Sequence, residues 1–200
     1  MGTRDVSIAM SKVEKDTMGN PPLKEWLGQN PKVKLVTFSD AAEQAELIIN
    51  ATKGEHSIEA LRLAGEQNLN GKVLMDISNP LDFSKGMPPT LLVSNSDSLG
   101  EQIQRTFPEA RVVKTLNTVN ASLQAEPLKL ANGDHDIFVG GNDLAAKEEV
   151  MKLLDQYGWK NVIDLGDITT ARGMEMLLII WVRLMGKLGT PMFNFHVVTG

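Results

Sequence analysis

The chain of 200 residues contains no cysteine, which excludes disulfides, thiol nucleophiles and zinc–thiolate sites. Histidine is almost as scarce: His56, His135 and His196 are scattered, and no His/Asp/Glu cluster with metal-ligand spacing occurs. A G-x-S-x-G elbow, which would present a nucleophilic serine, is also missing. Positive charge is in deficit, with 20 Lys and Arg against 25 Asp and Glu. The resulting net charge of −5 argues against nucleic acid or an anionic membrane as the main partner. No basic-then-apolar leader opens the sequence. The most apolar stretch, "MLLIIWVRLMG", is short for a bilayer and carries Arg183, so a buried core helix is expected there. These absences leave a soluble, cytoplasmic protein without metal chemistry. It should form one domain over residues 1–200, with a helix and tail at 169–200 packing onto it.

What is present is an alternation. Residues 6–34 form a polar excursion with a short helix near 24–27. From Lys34 onward "VKLVTF", "ELIINAT", "GKVLMDISNP", "ARVVKTLNTV", "HDIFVGGND" and "NVIDLGD" are strand-like. Between them lie helical stretches: "DAAEQA" with Asp40 as N-cap, "HSIEALRLAGEQNL", "SDSLGEQIQRTF", and "DLAAKEEVMKLLDQYG", capped by Asp143 and stopped by Gly158. An apolar helix over 170–188 closes the series. Strands alternating with helices predict an α/β fold with a doubly wound, mostly parallel sheet and right-handed crossovers.

In such sheets ligands bind outside the carboxyl ends of the strands. Three of these ends carry small, uncharged hydrogen-bonding residues: Asn50, Ala51 and Thr52; Ser78, Asn79 and Pro80; Asn117, Thr118 and Val119. Turn formation accounts for each of them singly. Together they favour a crevice for a neutral ring and a sugar. The opening "GTRD" offers Thr3 and Arg4 as donors to a phosphate, because an Arg after the second strand of a dinucleotide-binding fold accommodates the 2′-phosphate of NADP. His56 is expected to face solvent beside this crevice, and His135 to occupy a turn. Trp26, Trp159 and Trp181 are expected to pack, and Arg183 to point to a rim, a carboxylate or a subunit partner. Met174, Met176, Met185 and Met192 cluster near the C-terminus, as gap-filling core or as the lining of a flat ligand or an interface.

Taken in order, "GTRD", "ATKGEHSIEAL", "GKVLMDISNPLDF", "SLGEQIQRTFPEARVVKTLNTVNA", "FVGGNDLAAK" and "VIDLGDITTARGMEMLLIIWVRL" resemble the NADP oxidoreductase family that uses the deazaflavin coenzyme F420. The cytoplasmic domains of six-transmembrane ferric reductases are similar too. The resemblance implies a Rossmann-like fold and hydride transfer between NADPH and a second carrier, either F420, a flavin or a metal chelate. It assigns Thr3 and Arg4 to the 2′-phosphate, and Ala51, Thr52 and His56 to the border of the nicotinamide half. Asn79, Pro80, Leu81, Asn117, Thr118 and Val119 would wall the crevice in which the two rings stack. No dedicated acid or base is implied, because positioning carries ring-to-ring hydride transfer.

The family opens with a strand, a G-x-G-x-x-G loop and a helix before its "GTRD". Here Met1 alone precedes Gly2. The expectation is a fold missing its first βα unit, with a gap between neighbouring strands, weak NADPH binding, and strain, dimerisation or disorder near residues 1–35. A homodimer is expected. Two other readings stay open: a non-catalytic nucleotide-binding or interaction module, and a self-associating fragment.

Overall fold

The computed structural model describes residues 1–15 and 20–200. The expected disorder near residues 1–35 includes 16–19, which lie outside the described residues. Strand β1 (Gly2–Thr3) leads into helix α1 (Val6–Ser11), whose first turn is capped by the Asp5 carboxylate accepting from the Ile8 N–H at 3.1 Å. Helix α2 (Leu23–Gln29) follows, with Trp26 on it 38% exposed rather than packed as expected. Strand β2 (Val36–Thr37) then pairs in parallel with β1.

Helix α3 (Phe38–Gln44) starts two residues before the expected Asp40 cap. Thr37 Oγ1 accepts from the Asp40 N–H at 3.1 Å and caps the helix, which leaves the Asp40 carboxylate in the first turn, facing the positive end of the helix dipole. Strand β3 (Leu47–Asn50) is followed by a single 3₁₀ turn and then by α4 (Ser57–Ala64) and α5 (Glu66–Leu69). The sequence predicts one helix here. It breaks at Gly65, whose φ of 89° lies in the left-handed region that a side chain disfavours.

Beyond strand β4 (Val73–Asp76), a short antiparallel hairpin of β5 (Leu81–Asp82) and β6 (Thr90–Leu91) precedes α6 (Leu99–Thr106). Strand β7 (Arg111–Thr115), helix α7 (Ala121–Gln124), strand β8 (Asp136–Gly141), helix α8 (Leu144–Tyr157), strand β9 (Asn161–Asp164) and helix α9 (Ala171–Leu188) complete the chain.

The main sheet has the order β3-β4-β7-β8-β9 and is parallel except between β7 and β8. A parallel neighbour needs a long crossover, usually a helix, whereas the β7–β8 connection contains only α7 and two 3₁₀ turns. The "VGG" of β8 belongs to this antiparallel contact. A Cβ on Gly141 would stand 2.6 Å from the Val112 carbonyl, and one on Gly140 would stand 2.1 Å from Thr170 Oγ1.

Apolar side chains cover both faces of the sheet. Leu74 and Val112 pack with Leu61, Leu69, Ile103 and Phe107 on one side. Val73, Met75 and Val113 pack with Val139, Val150, Leu154 and Trp159 on the other. His135 lies at the bend that leads into β8, and it is buried there. It is 3% exposed, lies edge-on to Trp159 at 5.0 Å, and its ring nitrogens meet the Pro127 carbonyl at 3.0 Å and Asn194 Nδ2 at 2.9 Å. The tail folds back to make this contact, and the Asp136 N–H donates to the Phe195 carbonyl at 3.0 Å.

The pair β1–β2 does not join the main sheet. It faces β3 across a cleft of about 470 Å³ lined by Gly2, Phe38, Ala42, Leu47, Ile49 and Leu61 among others. The expected gap between neighbouring strands therefore exists. No helix among the described residues is long and apolar enough to cross a membrane.

Candidate functional site

Parallel register places Asn50 beside Asp76, and Asp76 beside Lys114, so β3, β4 and β7 end side by side. The rim they form is tied together by its own side chains. Asn50 Nδ2 donates to Asp76 Oδ1 at 2.8 Å, while Asn50 Oδ1 accepts from Thr52 Oγ1 at 2.7 Å. Asn79 Nδ2 donates to the Asn117 carbonyl at 3.0 Å, and Asn117 Nδ2 donates back to Asn79 Oδ1 at 3.1 Å and to the Met174 carbonyl at 3.0 Å. With both N–H groups used, the amide is held in one orientation, and Asn117 Oδ1 is buried without a partner. Gly54 seats the turn after β3 on the turn after β4, since a Cβ there would lie 2.1 Å from the Asn79 carbonyl oxygen.

Ala51, Thr52, His56, Asn79 and Leu81 are exposed or half-buried along this rim. Pro80, Asn117, Thr118 and Val119 are buried beneath it. Lys53 sits next to Glu55 and holds its carboxyl below the ordinary range, and His56 faces solvent with 62% of its side chain exposed. Thr3 and Arg4 leave β1 on the far side of the cleft. Arg4 Nη2 reaches Glu59 Oε1 on α4 at 2.7 Å, with both side chains more than half exposed. Among the described residues no group of three or more His, Asp or Glu converges as metal ligands would.

Beneath the rim lies a buried ionic cluster. Lys114 is fully buried, and its Nζ meets Asp76 Oδ2 at 2.8 Å, Glu175 Oε1 at 3.0 Å and the Ser78 carbonyl at 2.6 Å. Desolvation disfavours its ammonium, yet the two carboxylates outweigh that cost and hold its pKa above the ordinary lysine value. Glu175 also accepts from the Leu99 and Gly100 N–H groups at 2.8 and 3.0 Å, so a carboxylate of α9 closes the first turn of α6. A signal for this cluster was present in the sequence. "VVKTL", "VLMDI" and "GMEMLL" each carry one charge inside an apolar run, and buried charges must pair.

A sheet with helices on both faces and a neutral rim at its carboxyl ends defines a Rossmann-type dinucleotide-binding fold. The 58% identity to a proposed F420-dependent NADP reductase of Arthrobacter sp. FB24 narrows this: the chain belongs to the F420-dependent NADP reductase family. That crystal structure superposes with a TM-score of 0.94, covering 99% of this chain and 87% of its own. The F420-dependent NADP reductase of Methanocaldococcus jannaschii is 30% identical over 147 residues, 72% of this chain and 64% of the relative's length. An imine reductase of Myxococcus stipitatus in complex with NADP⁺ shares the fold alone, at 17% identity and a TM-score of 0.57, over 83% of this chain and 53% of its own. No family model matches the chain.

Proposed function

We propose that the chain is an NADP(H)-linked oxidoreductase that moves a hydride between NADPH and the deazaflavin F420. The observation that carries the reading is the row of small amide and hydroxyl residues where β3, β4 and β7 end, with the Arg4 guanidinium across the cleft from it. The residues fit the cofactor. Thr3 and Arg4 offer a hydroxyl and a charged fork to a phosphate ester, and the pairing of Arg4 with the Glu59 carboxylate marks it as a ready anion partner. Ala51, Thr52, His56 and Asn79 present small or amide groups to an uncharged ring and a sugar. Leu81 would add an apolar edge, and Pro80, Asn117, Thr118 and Val119 would form the floor.

When bound, the dihydropyridine would supply the hydride. The protein supplies alignment, because hydride transfer between two rings depends on their separation and orientation, and the proton taken up with the hydride comes from solvent. The amide pair Asn79–Asn117 and the Lys114 cluster fix the turn that holds Pro80. A homodimer belongs to the same reading, supported by the exposed apolar side chains of Met176, Ile179 and Ile180 on α9.

The test is to mix the purified chain with NADPH and oxidised F420 and follow the loss of deazaflavin absorbance. Slow turnover with weakly bound NADPH is expected. Arg4→Gln should weaken NADPH binding by roughly tenfold or more, the loss of one charge-assisted hydrogen bond, and leave NADH binding unchanged. NADPH binding without any turnover would favour a non-catalytic nucleotide-binding module, and equal effects on both nucleotides would remove Arg4 from the phosphate site.

A further inference from the structure

We propose that the β5–β6 hairpin is the docking platform for the second redox carrier, with Phe83 stacking on the planar ring that takes the hydride. The inference rests on the redox reading above and adds to it a residue that recognises the acceptor. The hairpin grows out of the rim. Leu81 follows Asn79 and Pro80 directly, and the Leu92 N–H returns to the Pro80 carbonyl at 2.8 Å. Asn79 is itself bonded to Asn117, so the ribbon is anchored to the ends of β4 and β7 together.

Register divides the ribbon into two faces. Leu81 pairs with Leu91 and Asp82 with Thr90, so the leucines share one face and the polar pair takes the other. Phe83, two residues beyond Leu81, continues the apolar face outward. Cover on that face falls off with distance from the rim: Leu81 and Leu91 are half-buried, whereas Phe83 keeps 45% of its surface exposed. A two-stranded ribbon has no core of its own, so its outer end needs local support. The tip supplies it. Asp82 Oδ1 accepts from the Ser84 N–H at 2.8 Å, and the Gly86 N–H closes onto the Phe83 carbonyl at 2.9 Å, with Gly86 at a φ of 84°. Phe83 is therefore presented by a braced turn.

The acceptor ring must lie flat against the dihydropyridine for a hydride to cross, which leaves its outer side to something other than the strand ends. Phe83 offers an aromatic surface to that ring, and Met87, 65% exposed at the same tip, offers a thioether. A hydrated metal chelate would gain nothing from either side chain. The chemistry selected is a flat, conjugated carrier such as the deazaflavin.

The experiment titrates the intact chain into oxidised F420 and reads the anisotropy of the deazaflavin fluorescence, with NADPH binding followed separately through its own fluorescence. Phe83→Ser should weaken F420 binding by about tenfold and leave NADPH binding within about twofold of the parent chain. Phe83→Tyr, which keeps the ring, should restore F420 binding. Leu92→Ser alters an exposed apolar residue on the other face of the ribbon and should change neither ligand. Equal F420 binding by the parent chain and Phe83→Ser overturns the proposal and leaves the redox reading standing. NADPH binding without F420 binding by the parent chain overturns the proposal together with the choice of acceptor. Loss of both ligands in Phe83→Ser, or a Leu92→Ser variant as weak as Phe83→Ser, also overturns it, because the effect is then one of general packing. So does a change in sedimentation with Phe83→Ser, which assigns the surface to a second copy of the chain.

Discussion

Lys114 concentrates the residue-scale chemistry of this molecule. One ammonium with no access to water holds two carboxylates from distant segments, Asp76 and Glu175, and through the Ser78 carbonyl it steadies the turn that carries Asn79. Replacing it with methionine keeps the volume but strands two buried negative charges. Lys114→Met should cost about 3–5 kcal/mol in urea unfolding, the usual penalty for breaking a buried pair from one side. A cost below about 1 kcal/mol would show that water enters the site and screens it. Residues of this kind were only half legible. The sequence showed a charge in each of three apolar runs, but which charge meets which depends on strand order. Asn79 and Asn117 show the same limit, since both were visible as strand-end amides and only the fold reveals that they bond one another.

At the scale of elements, local rules carried far. Helix α8 begins at Asp143, which accepts from the Ala146 N–H at 2.7 Å, and ends at Gly158 in the left-handed conformation, as the sequence predicts. Asp143→Ala should remove about 1 kcal/mol of stability, a typical N-cap loss, read as a lower thermal midpoint with unchanged helix content at low temperature. Where the elements departed from expectation, a competing local group had won. Thr37 lies nearer the chain entry than Asp40 and took the cap, and Gly65 broke a helix whose apolar spacing continued through it. The reversed direction of β8 was not readable, because strand patterning has the same period in either direction.

At the scale of the whole molecule, ion pairs bind α6 to its surroundings. Arg105 beside Asp97 pulls that carboxyl from 3.8 down to about 2, and Arg172 on α9 holds Glu101 below its ordinary value. Both groups have a folded pKa beneath the unfolded one, so their stabilisation is complete above the unfolded values and is lost as protons bind to the native state. Urea midpoints should therefore fall between about pH 4 and pH 2, and Arg105→Gln should flatten part of that decline, because Asp97 then titrates near its unfolded value. An unchanged profile would mean that solvent already screens the pair.

From the sequence alone came the alternation of strands and helices, the caps of α8, the neutral character of three strand ends and the resemblance to the family, all of which depend on residues close to one another along the chain. Tertiary structure alone decided the partners of Lys114, the burial of His135 under the returning tail and the direction of β8. Periodicity and capping are short-range preferences that each segment expresses by itself. Which edge meets which, and which charge loses its water, is settled only when segments far apart in sequence compete for the same space.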